Sequence, residues 1–570
     1  MKVSKNWLKE LVDLKVSFTE VERLLPLRTI GTKEITDDFI ELDMKGYNRA
    51  DLLSMRGVAL EIAAITDSSV TFKEANKFIW EDSILPKTII EVEDKKDIPV
   101  YCIAKIEGLK VEKSSKEWVE KLEASGVRSI DCITDVTNLV MLEYGQPMHA
   151  FDAKIVADET LIARHAKDGE ELTTLDEKTR KLVTSDLVIT DPKKVLGIAG
   201  VMGGKNSEIS EKTVDILFEA AIFDPITIRK TVTRLGLQSE ASKRFQHGLT
   251  KKRCLQALDS AIKMYASLGG KLTAISIVGD LEDTEKTITL RKSQMDSLIG
   301  IEMKEEDVEN YLQKLNFKII RTQAFGSEAI AQARRGDALR AWEVKPPYYR
   351  LDISIEADVI EEITRMYGYE KLPSKELAGT LPEKIDQSLF EKIFDLKENL
   401  VKIGLSEVQT YSFYSTSIIS NFEFRISNLI KILNPMSSET EYMRTHLWPN
   451  LVEVVAKNYK QGYKDIAIFE IGKTYQITKS GEIQEEYKLC IALLNGSDNP
   501  TQELYQILKT MEIFKLGDPI GESDGRFHPM RYFYVTDGNK PVGKIGEVHL
   551  RITDKFGLEK RVAILEIKIG

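Results

Sequence analysis

The stretch Asp131-Cys-Ile-Thr-Asp-Val-Thr-Asn-Leu-Val-Met-Leu-Glu-Tyr-Gly-Gln-Pro-Met-His149-Ala-Phe-Asp152 constrains this chain more than any other. An apolar run rich in Val, Leu and Ile ends in Gly-Gln-Pro, and one of the six histidines among 570 residues follows at once. Gly and Pro dictate a bend, so an extended run followed by this turn is expected to project its next side chains into a cleft. His149 is then either a site residue or a polar cap on a strand end. The turn alone leaves both open.

At roughly 100–200 residues per domain, the chain should form about three to five domains. With 42 % hydrophobic and 30 % charged residues, each has ample material for a core. No run approaches the ~18 apolar residues of a membrane span. The first residues, Met1 to Leu14, interleave charges with apolar positions at helical spacing and read as folded structure rather than a signal peptide. Cys102, Cys132, Cys254 and Cys490 lie far apart with no Cys-x-x-Cys pair, which argues against a zinc knuckle or disulfide scaffold and for a reducing cytoplasm.

A net charge of −10 opposes nucleic-acid binding by the chain as a whole. Between Ile222 and Cys254, however, eight basic residues stand against Asp224 and Glu240, a local +6. That segment is either a solvated helical face or a basic patch.

Periodicity and turn signals give an α+β, multidomain reading. Residues 1–92 form a small α+β unit with helices over Trp7–Leu14, Glu20–Leu25 and Leu52–Ile65, the last capped by Asp51, and a strand at Phe39–Met44. Residues 93–280 are strand-rich, with strands at Val100–Ile106, Thr160–Arg164, Leu187–Thr190 and Ile216–Phe223 and a helix over Ser115–Ser125. Gly197-Ile-Ala-Gly-Val-Met-Gly-Gly204 has neither the dinucleotide nor the phosphate-loop spacing, yet it lets a ligand approach backbone closely. Glu219 is a lone carboxylate in an apolar strand, and marks either a site or a buried ion pair.

Residues 281–376 read as a winged-helix-like module, with a basic connector carrying Arg334, Arg335 and Arg340. On a helix starting near Glu356, Asp358, Glu361 and Glu362 share a face, with Asp352 at the end of the incoming segment. Such oxygen ligands suit Mg²⁺, but acids also favour a helix N-terminus on their own account. Residues 385–570 read as antiparallel sheet with helices, including a strand at Val408–Phe413.

Four blocks in order carry a resemblance: Asp135 to Asp152, Ile198-Ala-Gly-Val-Met-Gly-Gly204, Arg350 to Glu362 with Tyr367-Gly-Tyr369, and Asn434-Pro-Met-Ser-Ser-Glu with Met443-Arg-Thr-His-Leu447. Along its whole length the chain resembles the β subunits of bacterial-type phenylalanyl-tRNA synthetase. The resemblance implies that 93–280 is an editing domain hydrolysing tyrosine misattached to tRNA(Phe), with a pocket at Thr137, His149, Gly203, Glu219 and Ala241. It implies that His149 and Glu219 recognise the tyrosine hydroxyl, that a positioned water attacks the ester, and that the +6 segment faces the tRNA acceptor end. No side chain is assigned as catalytic.

It further implies an α2β2 heterotetramer with an α subunit that activates phenylalanine using ATP, and a Mg²⁺ shared with that subunit at Asp352, Asp358, Glu361 and Glu362. Residues 385–570 become an inactive class II synthetase-like domain. Two segments usual in that family are expected to be missing: an oligonucleotide-binding-fold insertion, where only Arg28 to Glu34 stands, and a C-terminal anticodon-binding domain. Where the family has Glu, Arg and Asp, this chain has Gln246, His247 and Thr250. A structural scaffold with a vestigial pocket is the competing expectation, and a free-standing nucleic-acid-binding protein the third.

Overall fold

The computed structural model describes all residues except 76, 82–84, 322–340, 377, 378, 380–384, 427–428, 479, 511–514, 520–524, 539 and 570. Arg334, Arg335 and Arg340 therefore lie outside the described residues. The chain divides into two compact units, Met1–Glu376 and Leu377–Gly570.

In the first unit, helices Lys5–Leu11, Phe18–Arg28 and Met55–Thr66 start at Ser4, Ser17 and Ser54, whose hydroxyls accept from backbone amides of the first turn. The third helix corrects the expectation for Asp51. A 3₁₀ turn occupies Ala50–Leu53, and Ser54 caps the helix by accepting from the Gly57 amide at 3.0 Å. Asp51 is buried and spends its carboxylate on Arg49, with contacts of 2.9 and 2.7 Å, so it is not free to cap.

A larger correction concerns the apolar run before His149, which is a helix, not a strand. The Asp131 carboxylate accepts from the Ile133 and Thr134 amides at 2.9 Å each, and Gly145 ends the helix in the left-handed region at φ 78°. One face, with Ile133, Val136 and Val140, packs under a sheet, while Leu139 and Leu142 join the N-terminal core. A helix apolar on both sides hides its own period.

The elements around this helix are strands β1 (Ile89–Val92) and β2 (Val100–Glu107), α1 (Cys132–Tyr144), β3 (Met148–Asp152), β4 (Thr160–His165), β5 (Leu187–Thr190), β6 (Val195–Ile198), β7 (Met202–Gly203), β8 (Ile216–Ile222), α2 (Glu240–His247), α3 (Lys251–Ser267) and β9 (Lys271–Gly279). They form a four-stranded antiparallel sheet, β9-β2-β8-β3, and a five-stranded sheet, β7-β6-β5-β4-β1, whose β1–β4 pair is parallel. Alternation along β8 decides the layers. Ile216, Phe218, Ala220 and Ile222 pack against α1 and α3, whereas Leu217 and Ala221 turn to the core shared with the second sheet. Glu219, of the same parity as Leu217 and Ala221, belongs to that inner face.

Further along the first unit, Ile288–Arg291, Ala341–Lys345 and Lys318–Arg321 make a three-stranded antiparallel sheet beside helices Lys292–Ile299, Glu305–Lys314 and Glu356–Tyr367.

In the second unit a seven-stranded, mainly antiparallel sheet has Ile466–Ile477, Ile483–Leu494 and Ala563–Lys568 as its inner neighbours. Cys490, Ala492 and Leu494 face helix Trp448–Lys460, and Leu489, Ile491 and Leu493 face the opposite core with helix Ser388–Lys402. The strand expected at Val408–Phe413 does not form; only Ser406–Glu407 and Phe413–Tyr414 are paired. The Tyr411 carbonyl instead accepts from the Asn450 side chain at 3.3 Å, which withdraws it from any ladder.

Candidate functional site

A cleft, open to solvent at its mouth, lies between the two sheets of the strand-rich region. Its wall includes His149 from β3, Glu219 from β8, the Gly197–Gly203 segment, and Ala241 and Phe245 from α2. Four of the five residues singled out for a pocket thus meet in one place. Thr137 is not among the lining residues; it is buried in α1, where its hydroxyl donates to the Thr134 carbonyl at 2.7 Å.

Local structure explains why these four converge. Gln146 donates to the Ala221 carbonyl at 2.8 Å and so ties the Gly-Gln-Pro turn to β8. β3 then runs antiparallel to β8 with His149 directly opposite Glu219. Both side chains leave the same sheet face. Gly203 closes the other side, where an added Cβ would sit 2.7 Å from His149 Cε1 and 3.0 Å from Nε2. The glycine preserves space for the imidazole.

The two polar groups are held in states opposite to those of an ion pair. Burial pushes the His149 imidazole down to about 4, so it is neutral at pH 7. Burial pushes the Glu219 carboxyl up to about 7, against a hydrogen bond from Tyr101 that favours the charged form. Tyr101 Oη donates to Glu219 Oε2 at 2.8 Å, and His149 Nε2 is buried with no hydrogen-bond partner. A buried unpaired polar atom costs about 1–3 kcal/mol, a cost that a ligand group can relieve. The sequence reading missed Tyr101; its one signal was an aromatic with a hydroxyl inside an apolar strand of the same sheet.

A Gly203→Ala chain is expected to fold, because Gly203 is not at positive φ, and to displace the His149 ring. NMR of the histidine side chains checks it: one imidazole should shift while the melting temperature changes by no more than about 3 °C.

The basic segment Ile222–Cys254 does not form an open patch. Arg244 is 1 % exposed and donates to the Leu53 and Glu240 carbonyls. Arg234 pairs with Asp186, Lys251 with Asp280, and Lys252 with Glu74. Arg229 and Lys230 remain on the exposed side. Gln246, His247 and Thr250 do not line the cleft, and Gln246 and His247 bond back to the Ser242 and Lys243 carbonyls of their own helix.

The four carboxylates read as metal ligands are not brought together. Asp352 accepts from Arg350 at 2.7 Å, and Asp358 caps its helix by accepting from the Ser354 and Ile355 amides at 2.7 and 2.9 Å. Glu361 is exposed. Glu362 is buried between Arg350 and Arg365, and those guanidinium groups hold it well below the usual carboxylate range despite burial. Such donors do not fit one Mg²⁺ cage, which needs carboxylate oxygens free to face the ion. Among the described residues, the one group of three metal-capable side chains within mutual reach is Asp94, Asp97 and His165.

Three family models match: the B3/4 domain over residues 97–270, the tRNA synthetase B5 domain over 288–369 and the phenylalanyl tRNA synthetase beta chain CLM domain over 372–569. The cleft lies within the first of these. Similar proteins include the phenylalanine–tRNA ligase beta subunit of Dehalococcoides mccartyi strain CBDB1, 33 % identical over 544 residues, which are 92 % of this chain and 66 % of that one. The corresponding subunit of D. mccartyi strain ATCC BAA-2266 is 32 % identical over 572 residues, with 96 % of this chain and 69 % of that one covered. An N-terminal fragment of the phenylalanyl-tRNA synthetase beta-subunit from Pyrococcus horikoshii, a solved structure, covers 64 % of this chain and 99 % of its own at 16 % identity and a TM-score of 0.36. The chain spans about two thirds of the length of the beta subunits it matches, 66 % of the first two. Identity of this degree over nearly the whole chain shows descent: the chain belongs to the phenylalanine–tRNA ligase beta subunit family.

Proposed function

We propose that this chain is the β subunit of a phenylalanine–tRNA ligase and that its cleft hydrolyses tyrosine misattached to tRNA(Phe). The observation that carries the reading is His149 Nε2, buried without a partner and directly across the ladder from Glu219 in an open cleft. A tyrosyl phenol can donate to the Glu219 carboxylate while accepting from His149 in the tautomer that places the proton on Nε2. Phenylalanine leaves His149 unpaired and Glu219 with Tyr101 alone, and discrimination on such a difference reaches factors of about 10⁴. Among the described residues no cysteine or serine lines the cleft, so a positioned water is the nucleophile in this reading.

ATP-dependent charging with Mg²⁺ belongs to an α subunit in an α2β2 assembly, with tRNA(Phe) as the shared substrate. Residues 93–280 are the editing domain, 281–376 the winged-helix-like module and 385–570 a class II-like domain without activation chemistry. Among the described residues no helix is long and apolar enough to cross a membrane, in keeping with a cytoplasmic place for the complex.

The test is deacylation of Tyr-tRNA(Phe) by the complex of this chain with its α subunit. Glu219→Ala and His149→Ala are each expected to slow it about 10- to 100-fold, the worth of one buried hydrogen bond to a charged or orphaned group, with Phe-tRNA formation unchanged. Tyr-tRNA left intact by the unmodified complex would instead support the scaffold reading.

A further inference from the structure

We propose that Tyr101 is a positioning residue for tyrosyl recognition: by holding Oε2 of Glu219 it aims Oε1 at the phenolic hydroxyl of the ligand. The proposal rests on the reading that the cleft takes a tyrosyl group.

Tyr101 is fully buried on β2, the strand on the other side of β8 from His149. Ala221 is its direct partner in the ladder, and Ile103 is the partner of Glu219, so Tyr101 reaches Glu219 along the diagonal of one sheet face. It spends its single proton on Oε2 at 2.8 Å. Among the described residues Tyr101 is the one hydrogen-bond partner of this carboxylate, which leaves Oε1 to the cleft that Glu219 lines.

The carboxylate is then bridged by two phenols, one from the chain and one from the substrate. Two-χ freedom at the end of a glutamate side chain is removed by a rigid aromatic anchored in the core, and orientation is what such an interaction supplies. The hydrogen bond also favours the ionised carboxylate that burial opposes. Among the described residues no charged group shares that task. Facing Glu219 are His149 from β3, Ala241 and Phe245 from α2, and apolar residues or glycines of the Gly197–Gly203 segment. On the opposite face of the sheet lie the buried thiols of Cys102 and Cys254, both held with the α1 and α3 core.

The experiment uses the full chain in its complex. Tyr101→Phe keeps the ring and removes the hydroxyl. Deacylation of Tyr-tRNA(Phe) is followed from about pH 5 to pH 9, and binding of free L-tyrosine by calorimetry at the same values. The unmodified complex is expected to show an inflection near the Glu219 value of about 7. Tyr101→Phe is expected to move it upward by about one pH unit and to weaken tyrosine binding about tenfold at pH 7. In a Glu219→Ala background the same substitution should change neither quantity, since the effect runs through that side chain.

An unmoved profile with normal clearance by the unmodified complex overturns the positioning role alone. An equal effect of Tyr101→Phe with and without Glu219→Ala also overturns it, as a merely structural contribution. Neither clearance nor tyrosine binding by the unmodified complex overturns the functional reading and the proposal together.

Discussion

Replacing Arg365 by alanine is expected to lower the stability of the chain by about 3–5 kcal/mol, the range for breaking a buried ion pair from one side. Arg365 is 5 % exposed and donates to Glu61 at 2.9 and 3.0 Å and to Glu362 at 2.8 and 2.6 Å. Removing it leaves two buried carboxylates facing each other. Arg49, 2.7 Å from Glu61, and Arg350 beside Glu362 still neutralise part of the charge, which places the loss toward the lower bound.

The network joins helix Met55–Thr66 to helix Glu356–Tyr367, so its loss should loosen both ends of the first unit together. Burial raises the Glu61 carboxyl, but Arg365 and Arg49 outweigh it and hold the group below its ordinary range. A depressed carboxyl contributes stability above its unfolded value of about 4.5 and loses it as pH falls through the folded one. Arg365→Ala should therefore cost most at neutral pH and least in acid. Urea unfolding of the full chain reads this as a lower midpoint at constant slope; a loss under about 1 kcal/mol at pH 7 would show the network to be dispensable.

Glu219→Gln is expected to act in the opposite direction and stabilise the chain by up to about 3 kcal/mol above pH 7. The carboxyl has an ordinary value of 4.5 and a folded value of about 7. Between these the folded chain holds a proton that the unfolded chain has released, so stability falls as pH rises through the window and is level above it. Glutamine keeps the shape and can accept from Tyr101 but never ionises. The gain should be near its full size at about pH 8 and vanish below about pH 4.5. Equal unfolding midpoints for the two chains at both extremes would mean that Glu219 ionises without cost. If the gain appears alongside lost clearance of Tyr-tRNA, the buried carboxylate is a stability sacrifice kept for recognition.

Much of the site was legible along the chain. His149 stood out because a Gly-Gln-Pro turn precedes a scarce residue type, and Glu219 because a lone carboxylate interrupts an apolar strand. The strands Thr160–His165, Leu187–Thr190 and Ile216–Ile222 follow local signals closely. α1 was misread since it buries apolar residues in two cores at once, which masks its period. Tyr101 gave a single local sign, a hydroxyl inside an apolar strand, and its role stayed hidden because its partner lies 118 residues away.

By itself, the sequence determined where the backbone bends and which residues alternate across β8, because these depend on neighbours within a few positions; that Glu219 and His149 share a face follows from the long-range β3–β8 register. Only the tertiary structure decided which charges are spent. Arg234, Lys251 and Lys252 are matched by Asp186, Asp280 and Glu74, and Glu362 is claimed by two arginines. The physical reason is that electrostatic pairing in a core acts through space, so a guanidinium finds its carboxylate 304 residues away as readily as three, as Arg365 does with Glu61 and Glu362.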